Sequence, residues 1–329
     1  MKKLFALSLI LTFVVAIAAL TGSSRALAVD GYPKENITVY CGYTAGAGSD
    51  YCARMLAAGL TKHLGVTAIV ENLPGSGGWV LWSQILSNPE SYNDGYTVVQ
   101  IATPNWSTAK YDTANPRKYG YDSLDLVANM VSDANCIAIR ADETRFTDFE
   151  SFIEYWKKNS LLSSANATGV MSDDATMIKR VADFYDGLKY DMVQTGGGAE
   201  SINMLMNGSI DFQMGNVSEM AKYHNNEFKI LCVFAKERQG VLAEVKTFGE
   251  ITGTVMTGGS NRGFAIPKGV PADIRKTLVD AICAAITDPE IVATMAEQYT
   301  ETNFVREAEY DAFIKQDMLN YLSAYGIEP

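Results

Sequence analysis

The sequence predicts an α/β protein of two lobes, each a mainly parallel sheet flanked by helices. Three observations carry that reading. Short β-branched runs alternate with segments whose apolar residues recur every three to four positions. Glycine-rich turns follow several of the predicted strands and precede helices. The 329 residues suffice for two ordinary domains, each large enough to bury its own core.

The first segment stands outside that pattern. Met1-Lys2-Lys3 carries two positive charges, an apolar run follows from Leu4 to Leu20, and a polar patch ends in Ala26-Leu27-Ala28. That order predicts a secretory signal peptide over residues 1–28, cleaved after Ala28, and export to the periplasm. The apolar run is slightly long for a signal and slightly short for a spanning helix, so an uncleaved anchor stays open. With no cysteine near the cleavage point, a lipid-modified N-terminus is not indicated.

Thereafter strands and helices alternate. Ile37–Cys41 reads as a strand; the next helix places Cys52, Leu56, Leu60 and Leu64 on one stripe and stops at Gly65. Ala68–Glu71 is a strand, Val80–Leu86 a helix and Tyr96–Ala102 a third strand, a βαβαβ order that implies parallel pairing. A second series follows: strand Cys136–Arg140, helix Thr147–Lys158, strand Ser163–Asn166, helix Thr176–Tyr185, strand Met192–Thr195 and helix Ala199–Met206. Strands Ile210–Met214, Lys229–Ala235 and Arg262–Ile266 come next. Pro271–Ile286, Pro289–Gln298 and Glu307–Tyr325 close the chain as helices, the prolines suiting first-turn positions. The expected division is residues 29–131 plus 254–329 for lobe one and 132–253 for lobe two.

Composition removes whole classes of function. Charged residues are 20% and aromatics 10%, which excludes a disordered chain. The 27 basic residues against 38 acidic give a net charge of −11; without Lys2, Lys3 and Arg25 the mature chain has 24 against 38, or −14. A nucleic-acid partner or an anionic membrane surface would need the opposite sign. Five cysteines (Cys41, Cys52, Cys136, Cys232 and Cys283) with no Cys-x-x-Cys signal neither a disulfide framework nor a zinc site. Buried thiols are expected, with a Cys41–Cys52 bridge left open.

Chemistry concentrates in three glycine loops: Tyr43-Thr44-Ala45-Gly46-Ala47-Gly48-Ser49-Asp50, Asn72-Leu73-Pro74-Gly75-Ser76-Gly77-Gly78-Trp79, and Thr195-Gly196-Gly197-Gly198-Ala199. A strand, a glycine loop and a helix start together leave backbone N–H groups aimed at one spot, with the positive helix end behind them. Three such loops at strand ends converge on a crevice, an anion site made of backbone. Each loop alone is also an ordinary tight turn. Nucleotide binding is not expected: Tyr51 stands where a third glycine should follow Gly46 and Gly48, and there is no Gly-Lys-Ser/Thr loop. No cofactor and no metal are expected. Enzymatic constellations are equally poor, with only His63 and His224, the former expected at the end of its helix in a dipole contact, and no Gly-x-Ser-x-Gly elbow. Ser49 and Asp50 read as a helix start, one of them capping free amides, or as ligand-facing groups; Glu200 poses the same choice. Trp79 and Trp106 either wall a pocket or pack on neighbours.

Tyr32-Pro33 with Ile37-Thr38-Val39, then Gly46-Ala47-Gly48-Ser49-Asp50 with Ala53-Arg54, resembles the start of one family. So do Val70 through Gly78, Asp94-Gly95-Tyr96-Thr97, Gly196 through Leu205 with Asn207-Gly208 and Asp211, and Phe264 through Pro271. The family is the periplasmic solute-binding proteins of tripartite tricarboxylate transporters, also called Bug receptors, and the resemblance spans nearly the whole mature chain. It implies a type II-like periplasmic-binding-protein fold whose lobes close on a small organic acid in the cleft between them. It further implies delivery of that acid to integral-membrane transporter subunits, one large and one small, by a monomeric receptor that is not an enzyme.

By position, the resemblance assigns ligand binding to Tyr43, Thr44, Ala45, Gly46, Ala47, Gly48, Ser49 and Asp50, and to Gly75, Ser76, Gly77 and Gly78. From lobe two it adds Ser164, Asn166, Thr168, Gly169, Thr195, Gly196, Gly197, Gly198 and Asn216. Trp79 and Asn105 complete the candidate set. Gly42 replaces a usual proline, Gln194-Thr195 a usual Pro-Tyr, and Trp79 a smaller residue, so the identity of the acid does not carry over. A sensing receptor for a membrane signalling protein is the alternative. An exported enzyme acting on an organic acid, with Asp50 or Glu200 as its acid or base, is the more remote one.

Overall fold

The computed structural model of the chain describes residues 31–112, 116–166, 171–195 and 197–329. The predicted signal peptide, Thr168, Gly169 and Gly196 lie outside the described residues. Ten strands and eleven α-helices are assigned among the described residues. Strands β1 (Ile37–Cys41), β2 (Ala68–Asn72) and β3 (Thr97–Thr103) pair in parallel, with β1 between the other two. Helix α1 (Gly48–Leu64) links β1 to β2 and ends on Gly65 in the left-handed region, as its sequence stripe requires. Helices α2 (Trp79–Ser87) and α3 (Asn105–Thr108) follow β2 and β3.

Two long strands then change the character of the sheet. β4 (Asp125–Arg140) and β9 (Gly259–Ile266) are antiparallel, and β9 joins β3 at Val99–Thr103. Strand β4 pairs β9 as far as Ala134, then pairs β7 (Gln213–Asn216) and β8 (Phe228–Val233) from Asn135 onward. It passes from one lobe to the other without interruption. Its first eleven residues escaped the sequence reading because Asp125, Asn129, Ser132, Asp133 and Asn135 break the apolar run. Their polarity is used: Asp125 pairs with Arg275, and the Asn129 amide donates to Asn303 O at 2.9 Å. Asn303 belongs to β10 (Thr302–Arg306), a short, half-exposed edge strand that no sequence pattern announced.

The second lobe adds the parallel pair β5 (Leu161–Asn166) and β6 (Tyr190–Thr195). Its helices are α4 (Phe149–Trp156), α5 (Asp173–Phe184), α6 (Gly198–Met206), α7 (Val217–Met220) and α8 (Phe248–Thr252). The strand predicted at Ile210–Met214 begins three residues later. Ile210 and Phe212 are buried, but Asp211 bonds Leu162 through both its backbone N–H and its carboxylate. Helices α9 (Ala272–Ile286), α10 (Pro289–Glu297) and α11 (Glu307–Ser323) return to the first lobe.

One face of the first sheet buries Val39, Leu56, Leu60, Leu278 and Ile282 against α1 and α9. The other buries Trp79, Trp82, Trp106, Ile101, Tyr310 and Ile314 against α2, α3 and α11. The second lobe packs Phe152, Trp156, Ile178, Phe212 and Phe248 around its own centre. All five cysteines are buried and free, so Cys41 and Cys52 are separate thiols here, and burial pushes Cys41 up to about 12. His63 sits at the end of α1 as read, in contact with Asp288 at 3.1 Å. No helix among the described residues is long and apolar enough to cross a membrane.

Helix α11 also clasps the crossover. Tyr321 Oη accepts from Gly259 N–H and donates to Gly259 O, and Tyr325 Oη meets Thr176 of the second lobe at 3.2 Å. Also on α11, beside Thr103 and Asn261, the Asp317 carboxyl is buried with Oδ2 unpartnered, and burial raises it from 3.8 to about 7. The folded state therefore holds this proton where the unfolded chain loses it. Its stabilising contribution is complete below about pH 4 and is lost as pH rises toward and past 7. Asp317→Asn should flatten that portion of the profile, read as the variant-minus-wild-type difference in chemical denaturation midpoint across pH 4–8. A constant difference would refute the assignment.

Candidate functional site

The site residues expected from the sequence fall where β1, β2 and β3 end and, in the second lobe, where β5, β6 and β7 end, with β4 running between the two groups. In the first loop, α1 begins at Gly48 on Ala47, which has no side chain able to cap it. The first intrahelical bond runs from Tyr51 N–H to Ala47 O at 2.9 Å. The amides of Gly48, Ser49 and Asp50 therefore lie outside the helical ladder. The capping expected of Ser49 or Asp50 takes a different form. Asp50, buried at 2% exposure, reaches back to accept from Gly46 N–H at 2.8 Å. It also accepts from Arg54 Nε at 2.9 Å and from Asn72 Nδ2 at 2.8 Å. Burial alone would raise this carboxyl, but Arg54, the Gly46 amide and Asn72 outweigh it and hold it low. Asp50 is a brace, and the Gly46 amide is spent on it. Thr44, Ala45 and Gly46 form the exposed tip of the loop.

Asn72 extends the brace by donating to Tyr43 O at 3.0 Å. The Tyr43 hydroxyl donates to Gly77 O at 3.0 Å and accepts from Asn105 Nδ2 at 2.9 Å, tying together the loops that follow β1, β2 and β3. Within the second loop Gly75, Ser76, Gly77 and Gly78 all have positive φ (139°, 50°, 63° and 96°). Glycine tolerates that run and Ser76 bears it at some cost. Gly42, the departure from proline, is explained by close approach: a Cβ there would lie 2.6 Å from Gly78 Cα. Trp79 is packed away at 3% exposure, stacked on Trp106 at 5.4 Å, with its indole N–H on Asn105 O at 3.0 Å.

Across the crevice, α6 starts on Gly197 and α7 on Asn216, neither capped by a side chain. Thr195 is buried with its hydroxyl 2.8 Å from Ser201 Oγ. Ser164 is buried at 1% exposure, and its hydroxyl has no hydrogen-bond partner; Asn105 Oδ1 and Asn135 Oδ1 share that condition. Unpartnered buried polar atoms such as these can be satisfied by a ligand or a bridging water. The backbone of Asn166 aligns with Thr195 at the end of β5–β6. Asn216 Nδ2 donates to Asp133 O at 3.1 Å and to Asp173 Oδ2 at 3.0 Å.

The reading of loops alone missed a buried guanidinium. Arg262 of β9, 4% exposed, donates to Asp133 of β4 at 2.6 Å, and Glu219 of α7 lies 4.0 Å away. A Cβ on Gly48 would stand 2.9 Å from Arg262 Cζ, so the cation backs directly onto the start of α1. Asp133 in turn accepts from Ser218 N–H at 3.0 Å and from the Ser218 hydroxyl. Burial opposes the Arg262 charge, and Asp133 overrides it. At Glu219 burial dominates and raises the carboxyl, despite Arg262. The available signal was a lone arginine inside the otherwise buried strand Gly259–Ile266. No cluster of three or more potential metal ligands occurs among the described residues.

Removing one member of the Arg262–Asp133 pair strands the other in the interior, at a cost of about 3–5 kcal/mol. Arg262→Met should show that loss in denaturant unfolding, and Arg262→Met with Asp133→Asn should recover most of it. Additive losses in the double variant would show that the pair is not coupled.

Residues 52–323 match the model of the tripartite tricarboxylate transporter family receptor. A Cupriavidus necator protein described as a UPF0065 protein in the gbd 5′ region is 27% identical over 307 residues, 92% of this chain and 89% of its own. Among solved structures, the R. palustris protein Rpa4515 with adipate superposes with a TM-score of 0.79 at 20% identity, covering 91% of this chain and 99% of that one. MatC from Rhodopseudomonas palustris with bound malate gives 0.75 at 17% identity, covering 89% and 99%. The fold is that of periplasmic binding proteins, and the chain belongs to the tripartite tricarboxylate transporter receptor family.

Proposed function

We propose that this protein is an extracytoplasmic receptor that captures a small organic carboxylate in the crevice and presents it to integral-membrane transporter subunits. The observation that carries the reading is the uncapped start of α1. Three backbone amides and the helix dipole converge there on a loop already held in place by Asp50, Asn72 and Tyr43. The unpartnered Asn105 Oδ1 and Ser164 Oγ on opposite sides supply positions for water-mediated contacts. Family membership and the adipate and malate held by two structural neighbours support the same ligand class.

On this reading the lobes divide at about residues 131 and 254, within β4 and shortly before β9. Hinge motion there closes the crevice when the ligand contacts both sides, because only the closed form offers both sets of partners. Export proceeds by the N-terminal signal. Asp50 is unsuited to general-base work, since Arg54 and Asn72 hold it as a charged brace, and catalysis is not part of the reading.

Thermal-shift screening tests the ligand class. A carboxylate at 100 times its Kd should add about 2.7 kcal/mol of stability. Melting shifts with mono-, di- or tricarboxylates and none with neutral sugars are expected; shifts only with sugars or inorganic cations would overturn the proposal. Intact-mass measurement of the exported protein should place its N-terminus at Val29, and retention of Met1 would contradict the cleaved signal.

A further inference from the structure

The crevice is not electrostatically uniform. Its first-lobe side offers amides and a helix N-terminus, with Asp50 neutralised by Arg54. Its second-lobe side offers acids. Asp173, in the first turn of α5, is 6% exposed and accepts at Oδ2 from Asn135 Nδ2 and Asn216 Nδ2, both at 3.0 Å. Both partners are neutral. No ion pair reaches Asp173 among the described residues, and the crossover guanidinium, Arg262, is paired with Asp133. Arg180, two turns along α5, gives its hydrogen bond to Thr257 O at 2.6 Å. The charge of Asp173 is felt at Glu219 on its own side and at Tyr43 across the crevice, which places it where the lobes meet.

Among the described residues this buried carboxylate is held by two neutral side-chain amides and the start of α5, with no cationic side chain paired to it. The neighbouring acceptor is unfinished as well. Asn135, fully buried, spends its amide N–H on Asp173, and its Oδ1 has no partner. A carboxylate and an unpartnered carbonyl oxygen side by side form an acceptor pair of the kind an ammonium group satisfies, having three donors and a positive charge. A second ligand carboxylate at the same place would meet only repulsion.

We propose that the ligand carries a cationic nitrogen beside its carboxylate, and that Asp173 with Asn135 Oδ1 receives that nitrogen while the amides of α1 receive the carboxylate. The substrate class is thus an amino acid or a related zwitterion, an inference that rests on the carboxylate-receptor reading and narrows it. Asp173 is then the specificity-determining residue, separating amino acids from organic acids of the same skeleton.

The test is calorimetric titration of the purified protein with matched pairs: succinate and aspartate, glutarate and glutamate, propionate and alanine, 3-phenylpropionate and phenylalanine. For the skeleton that fits, the amino member should bind at least about tenfold tighter, the scale of a desolvated charge-assisted contact. Asp173→Asn, whose amide oxygen still accepts from Asn135 and Asn216, should remove that preference by weakening the amino member alone. Equal or tighter binding of the deaminated member would overturn the inference and leave the carboxylate reading standing. So would an amino preference untouched by Asp173→Asn. Binding of neither member in any pair would overturn both. The wild-type ratio decides between the classes even where the variant does not fold.

Discussion

The buried pair Arg262–Asp133 is the constraint on which the crevice depends. It joins β4, which runs through both lobes, to β9 of the first sheet, and both side chains are 4% exposed. Such a pair adds little net stability over a well-packed apolar one, because desolvation consumes most of the attraction. What it supplies is position. The guanidinium backs onto Gly48 at the start of α1, and the carboxylate takes the Ser218 amide at the start of α7. The two helix starts that face each other across the crevice are thereby referred to one point on the crossover. A shift in either strand would disturb both walls at once.

Around that point the loops of the first lobe are tied to one another by their own side chains. Asp50 fixes Gly46, Arg54 and Asn72; Asn72 fixes Tyr43; Tyr43 fixes Gly77 and Asn105. The chain of bonds crosses three loops, and apart from the Arg54 guanidinium its links are neutral amides and hydroxyls leading back to a buried acid. Ordering these groups before binding removes an entropic cost that a floppy loop would incur on capture. On the proposed reading it also reconciles a chain of net charge −11 with an anionic group in the ligand. Net charge governs long-range encounter, whereas oriented amides and a helix end a few ångströms away govern the bound state.

Much of this could be read from the residues, and the failures have definite causes. Ile37–Cys41, the stripe from Cys52 to Leu64 and the Gly65 stop obey simple periodicity and emerge as expected. Strand β4 did not, because half its length is polar in sequence and those polar groups find partners only in the folded crossover. The glycine loops were legible as a site, yet Asp50 was legible only as an acid near it. Its partners Asn72 and Arg54 lie 22 and 4 residues away, and nothing local reveals that they converge. Trp79 illustrates the opposite case. A large aromatic beside a loop suggests a pocket wall, but three tryptophans and Tyr43 pack together and leave Trp79 almost no free surface. Arg262 was visible as one charge in a buried strand, a local conflict of the kind that marks functional or strained places.

The asymmetry of the crevice bears on how closure is coupled to capture. On the proposed reading, each lobe alone satisfies half of the ligand: amides of α1 for its negative end, Asp173 and Asn135 for its positive end. A simple anion gains from the first lobe and is repelled by the second, so it has no reason to draw the lobes together. A zwitterion gains from both only when the crevice shuts. The differential affinity that drives closure is then a property of the pairing of charges rather than of either charge. Specificity and conformational coupling become the same physical quantity, set by Asp173 at the foot of α5 together with the uncapped amides of α1.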